Sequence, residues 1–167
     1  ATSFSGASTD EGAVIRLTNP SNWENGYDGN GFVGGIEFYT ADTSESGPAV
    51  FGAIKQRQLS YYNDQAMCFF TSPYNGSLTE RMRIDASGYI GIGSGSPSSY
   101  NSRGKDLVIK KTGSDVGISI IAEISGATEY SSSIMFGDGT SGTAAYRGSI
   151  EYDHADDSMT FSTAATE

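Results

Sequence analysis

The chain repeats itself, and that repetition restricts its folds more than any other feature. Val14-Ile15-Arg16-Leu17-Thr18 matches Val108-Ile109-Lys110-Lys111-Thr112 at an offset of 94 residues. Gly35-Ile36-Glu37-Phe38 matches Ser133-Ile134-Met135-Phe136 at 98, and Gly52-Ala53-Ile54 matches Gly148-Ser149-Ile150 at 96. Asp64-Gln65-Ala66-Met67-Cys68-Phe69 matches Asp156-Asp157-Ser158-Met159-Thr160-Phe161 at 92. Matches that keep their order while the offset drifts are duplicated strands joined by loops of unequal length, so the repeat sets the architecture.

Within each copy the apolar period is two. Ile36 and Phe38 share one strand face, as do Phe51 and Ala53, Met67 and Phe69, Met82 and Ile84, and Ile90 and Ile92. The second copy repeats this with Ile134/Phe136, Ile150/Tyr152 and Met159/Phe161, and Val116-Gly117-Ile118-Ser119-Ile120-Ile121-Ala122 reads as a further strand. Asp85-Ala86-Ser87-Gly88 suits a type I turn closing on a glycine at positive φ, and 25–31 and 137–142 read as loops. The expected fold is therefore all-β: two tandem related modules of short antiparallel strands, sandwich- or shaft-like. They occupy residues 1–93 and 105–167, with a Gly/Ser/Pro linker at 94–104. The second module stops about where Glu80 falls in the first, so the polypeptide is expected to continue beyond Glu167.

Composition supports this class. Gly, Ser, Thr and Asn make up 68 of 167 residues and Leu only four, which disfavours helices. No apolar run approaches the roughly 18 residues of a membrane helix, and membrane insertion is not expected. A net charge of -10 repels phosphate backbones, so nucleic acid is a poor partner. The single cysteine, Cys68, allows no internal disulfide and reads as an inert buried thiol. Each module offers few inward apolar residues against a conformational entropy of about 1–2 kcal/mol per ordered residue. Obligate self-association, with apolar strand faces buried between chains, would supply the missing burial. In Tyr89-Ile90-Gly91-Ile92-Gly93 one face is bare glycine, which lets another backbone approach closely and suits a tightly wound shaft or subunit packing near a symmetry axis.

Residues that could carry chemistry are few. His154, in Tyr152-Asp153-His154-Ala155-Asp156-Asp157, could join its aspartates around a divalent cation, but an Asp-rich stretch between two strands is more economically a hairpin tip. No catalytic, cofactor-binding or metal-ligating residue is assigned, and no cofactor and no enzymatic activity are expected. A better candidate is an aromatic-polar loop surface made of Trp23, Tyr27, Tyr61, Tyr62 and Tyr74. Aromatic faces flanked by amides and carboxylates stack on sugar rings and hydrogen-bond hydroxyls. The same rings could instead pack against a neighbouring strand or subunit, which a thin core favours.

The segment Arg81-Met82-Arg83-Ile84-Asp85-Ala86-Ser87-Gly88-Tyr89-Ile90-Gly91-Ile92-Gly93-Ser94-Gly95-Ser96-Pro97 resembles the "RMRIDSSGNVGIGTxSP" segment of tail-fibre and other appendage proteins of tailed bacteriophages. Tyr89 stands where that segment more often has Asn. The remainder resembles the family more loosely, through Ile-x-Phe and Gly-x-Ile strands in the usual order. The resemblance implies a trimeric, β-rich virion appendage working in host attachment, outside the cell, with other virion proteins and host surface glycan as partners. Two alternatives stand beside it: a tailspike-type polysaccharide depolymerase, and a cellular extracellular filament or surface subunit.

Overall fold

A computed structural model describes residues 3–5, 14–16, 31–41, 43, 49–59, 64–74, 76–122 and 130–163. It is all-β, with no helix of seven or more residues among them. Eleven strands are described: β1 (Ser3–Ser5), β2 (Val14–Arg16), β3 (Phe32–Thr40), β4 (Ala49–Gln58), β5 (Gln65–Thr71), β6 (Thr79–Ile84), β7 (Ile90–Ile92), β8 (Leu107–Ile109), β9 (Ser131–Phe136), β10 (Gly148–Asp153) and β11 (Ser158–Thr163). β1 and β2 form an antiparallel pair in which Phe4 faces Ile15. Strands β3 to β8 form one six-stranded sheet in sequence order, and β11-β10-β9 form a three-stranded antiparallel sheet.

The chain divides into two compact units, Ala1–Val116 and Gly117–Glu167. The division therefore does not fall in the linker expected at 94–104, and the start of the expected second module belongs to the first unit. The reason is a pairing that periodicity cannot encode: β8 lies parallel to β7, with Ile90, Gly91 and Ile92 opposite Leu107, Val108 and Ile109. A parallel neighbour needs a crossover rather than a hairpin, and residues 93–106 supply it. That segment is ordered by a short 3-10 turn at Pro97–Ser99, and Pro97 is fully buried. The sheet is accordingly not wholly antiparallel. Nor is 116–122 a strand; it pairs with nothing described, and Val116, Ile118, Ile120 and Ile121 are exposed.

Turn chemistry follows the sequence at β6–β7. Asp85 Oδ1 accepts hydrogen bonds from the Ser87 and Tyr89 amides, and Gly88 donates its N–H to the Asp85 carbonyl at φ +83°. A residue in that region of φ is most cheaply glycine. The loop expected at 137–142 runs into a 3-10 turn at Gly142–Tyr146, whose Ala144 carbonyl accepts from the Asp138 and Gly139 amides.

Register decides which side chains share a face. In the six-stranded sheet, Ile36, Ile54, Phe69, Met82, Ile92 and Ile109 stand opposite one another in one unbroken row. The next row on that face is Gly34, Gln56, Met67, Ile84, Ile90 and Leu107. The other face carries the row Gly35, Lys55, Cys68, Arg83, Gly91 and Val108, flanked by Glu37, Ala53, Phe70 and Glu80. In the three-stranded sheet Ile134, Ile150 and Phe161 form a row, and Phe136, Gly148 and Thr163 another.

Candidate interaction surface

The two faces of the six-stranded sheet are covered in the opposite sense to the usual rule. The mixed face is the buried one: Ala53, Ala66, Cys68, Val108 and even the guanidinium of Arg83 are hidden from solvent. The apolar face is open. Ile36 is 55 %, Phe38 59 %, Met67 42 % and Leu107 53 % exposed. Isolated exposed apolar residues are ordinary, but a contiguous bank of them marks a surface that binds something.

What covers part of the mixed face is the crossover, and the segment from Arg81 to Pro97 builds it. Gly91 lies directly beneath the Ser94 carbonyl oxygen, and a Cβ there would collide with it. Gly93, at φ +68°, is pressed against the Lys110 carbonyl oxygen. Another backbone does approach the glycine face of β7, and it is the chain's own rather than a neighbouring subunit's. Gly93 donates its N–H to the Arg81 carbonyl at 2.8 Å, and Lys110 donates to the Ile92 carbonyl at 2.9 Å. Under the crossover lies a cleft of about 210 Å³ lined by Arg57, Glu80, Arg83, Gly93, Ser94 and Gly95. Arg83 donates from Nε and a terminal nitrogen to the Glu80 carboxylate at 2.5 and 2.7 Å, and Arg57 reaches the same carboxylate at 3.5 Å. Burial lowers the Arg83 pKa, but the Glu80 hydrogen bond and charge outweigh it and hold the guanidinium above its usual value. Burial, with Glu80 adding to it, pushes the Cys68 thiol up to about 11, so it is a neutral thiol at physiological pH.

The open face is not flat. Gly34 leaves a gap between larger neighbours, and a hollow of about 280 Å³ opens there, lined by Gly34, Ile36, Ile54, Gln56 and Met67. In the second unit the corresponding positions are also open, with Phe136 55 % and Phe161 73 % exposed.

Of the aromatic residues expected to form a sugar-binding surface, Trp23, Tyr27, Tyr61 and Tyr62 lie outside the described residues. Tyr74 is described: it is exposed, in a turn closed by the Gly76 N–H donating to the Pro73 carbonyl. At the tip between β10 and β11, Asp153 and Asp156 accept hydrogen bonds from the Ala155 and Ser158 amides, and Asp157 accepts from the Tyr152 hydroxyl at 2.7 Å. His154 packs edge-on to Tyr152 at 4.9 Å, and its Nε2 lies 3.1 Å from the Ser132 hydroxyl. These aspartates shape a turn, and no group of three or more His, Cys, Asp or Glu among the described residues is placed to hold a metal ion.

Sequence reasoning missed the Arg57–Glu80–Arg83 cluster and the inversion of the two faces. Alternation told which residues stand together; nothing in it told which side meets solvent. No protein-family model and no curated protein sequence matches the chain.

Proposed function

We propose that this chain is a structural, non-enzymatic appendage protein of a virion, of the phage tail-fibre kind, that works outside the cell in host attachment. The observation that carries the reading is the use made of the segment that resembles such proteins. From Arg81 to Pro97, Asp85 and Gly88 close the β6–β7 turn, while the Arg81 carbonyl, Arg83, Gly91, Gly93 and Pro97 seat the crossover on the sheet. A recurrent segment of that kind is an architectural device, suited to a chain built by repetition.

The repeat supports the same reading. Residues matched in sequence at offsets of 98, 96 and 92 are also matched in pairing: Ile36, Ile54 and Phe69 in one sheet, Ile134, Ile150 and Phe161 in the other. We read β3–β4–β5 and β9–β10–β11 as two copies of one ancestral module, carried in tandem. The assembled form is a homotrimer alongside other virion proteins, and Trp23, Tyr27, Tyr61, Tyr62 and Tyr74 are its contacts to host surface glycan.

Two measurements test this. Sedimentation equilibrium at micromolar concentration gives three times the chain mass; a stable monomer overturns the assembled form. Incubation with host surface polysaccharide releases no new reducing ends, whereas release would replace this reading with a depolymerase.

A further inference from the structure

We infer that the apolar face of the six-stranded sheet is a self-association surface, covered by the same face of other copies of this chain. The inference does not depend on the virion reading; it rests on the geometry of the face.

The exposed parts of Ile36, Phe38, Met67, Ile84, Ile92 and Leu107 come to roughly 500 Å² on one contiguous face, at the upper end of what a monomer leaves open. With the half-covered Ile54, Phe69, Met82, Ile90 and Ile109 between them, the face approaches the roughly 800 Å² that one partner contributes to a standard interface.

The chain carries a net charge of -10, so two identical copies repel wherever charged surfaces meet. Neither apolar row contains a charged residue, whereas the other face carries Glu37, Lys55, Arg57, Glu80 and Arg83. A basic or acidic partner would call for charges of opposite sign in these two rows, and they hold none. A second identical copy calls for none.

The same face holds both a knob and a hole: Phe38, 59 % exposed, stands two residues along β3 from Ile36, which lines the 280 Å³ hollow with Ile54 and Met67. A surface that carries its own complement can pack against itself, and sheets packed face to face interdigitate at about 10 Å.

The test uses the full chain. Ile36→Asp with Ile92→Asp places two carboxylates on residues that are solvent-exposed in the single sheet, so the β-sheet circular dichroism is retained. Self-association weakens by about a hundredfold or more, because each carboxylate would be buried unpaired in the interface. A double variant that keeps the wild-type mass at wild-type concentration overturns the inference. Phe38→Cys and Glu37→Cys, adjacent in β3 but on opposite faces, provide a second readout if the charged variant fails to fold. Phe38→Cys oxidises to a covalent dimer at micromolar concentration and Glu37→Cys does not; equal cross-linking of the two overturns the surface. The native thiol of Cys68 is buried on the other face and does not interfere. A wild-type dimer would refute the trimer and leave this surface standing. A trimer insensitive to the two aspartates would do the reverse.

Discussion

At the scale of single residues, the Glu80–Arg83 pair shows why the mixed face can be the buried one. Arg83 is only 4 % exposed, and a guanidinium is tolerated there because Glu80 meets it with two charge-assisted hydrogen bonds. Such a pair stabilises little compared with a well-packed apolar replacement, but breaking it strands a charge. Glu80→Gln is therefore expected to lower unfolding stability by about 3 kcal/mol in urea titration. The double variant Glu80→Leu/Arg83→Met loses much less, because the deeply buried charge leaves together with its partner and Arg57, a quarter exposed, keeps contact with solvent. A single variant that matches the double would show that the pair is solvated rather than buried. The presence of Arg83 in the core was not legible in the sequence: Met82-Arg83-Ile84 reads as apolar residues facing in and an arginine facing water, and the structure places them the other way round.

At the scale of elements, the crossover from β7 to β8 turns the sheet from a meander into a mixed sheet. The glycines of this crossover and of the turn before β7 have different tasks, and substitution separates them. Gly93→Ala meets both a positive φ and the Lys110 carbonyl. It is expected to cost about 2 kcal/mol or more in chemical denaturation. Gly88→Ala meets only the positive φ, with no atom near its Cβ, and costs about 1 kcal/mol. Gly104→Ala, in open space at ordinary φ, is close to neutral. Equal losses at all three positions would mean that the crossover does not pack as described. The Asp85–Gly88 turn was readable in advance because its geometry is dictated by four consecutive residues. The parallel partner of β7 was not, since Val108-Ile109-Lys110 matches Val14-Ile15-Arg16 in sequence, and Val14–Arg16 pairs antiparallel with Ser3–Ser5.

At the scale of the whole molecule, the division after Val116 leaves an exposed extended stretch where the first unit ends. Exposed segments without ladder hydrogen bonds are where proteases cut first. Elastase, which cleaves after small apolar residues, is expected to nick within 113–122 before it cuts in 94–104, as read by mass spectrometry of the early fragments. An earlier cut at 94–104 would restore the boundary that composition alone indicates, since Ser94-Gly95-Ser96-Pro97-Ser98-Ser99 has every mark of a linker except a buried proline. Read without coordinates, the chain already determines that it is all-β, that strand motifs recur, and which apolar residues share a face, because alternation and turn chemistry act over a few neighbouring residues. Only the tertiary structure decides the partner of each strand, the place of the division and the face that is left open. Those depend on contacts between residues far apart in sequence, and there the packing of Pro97 over Gly91 and the pairing of Arg83 with Glu80 outweigh the local preference of apolar side chains for the inside.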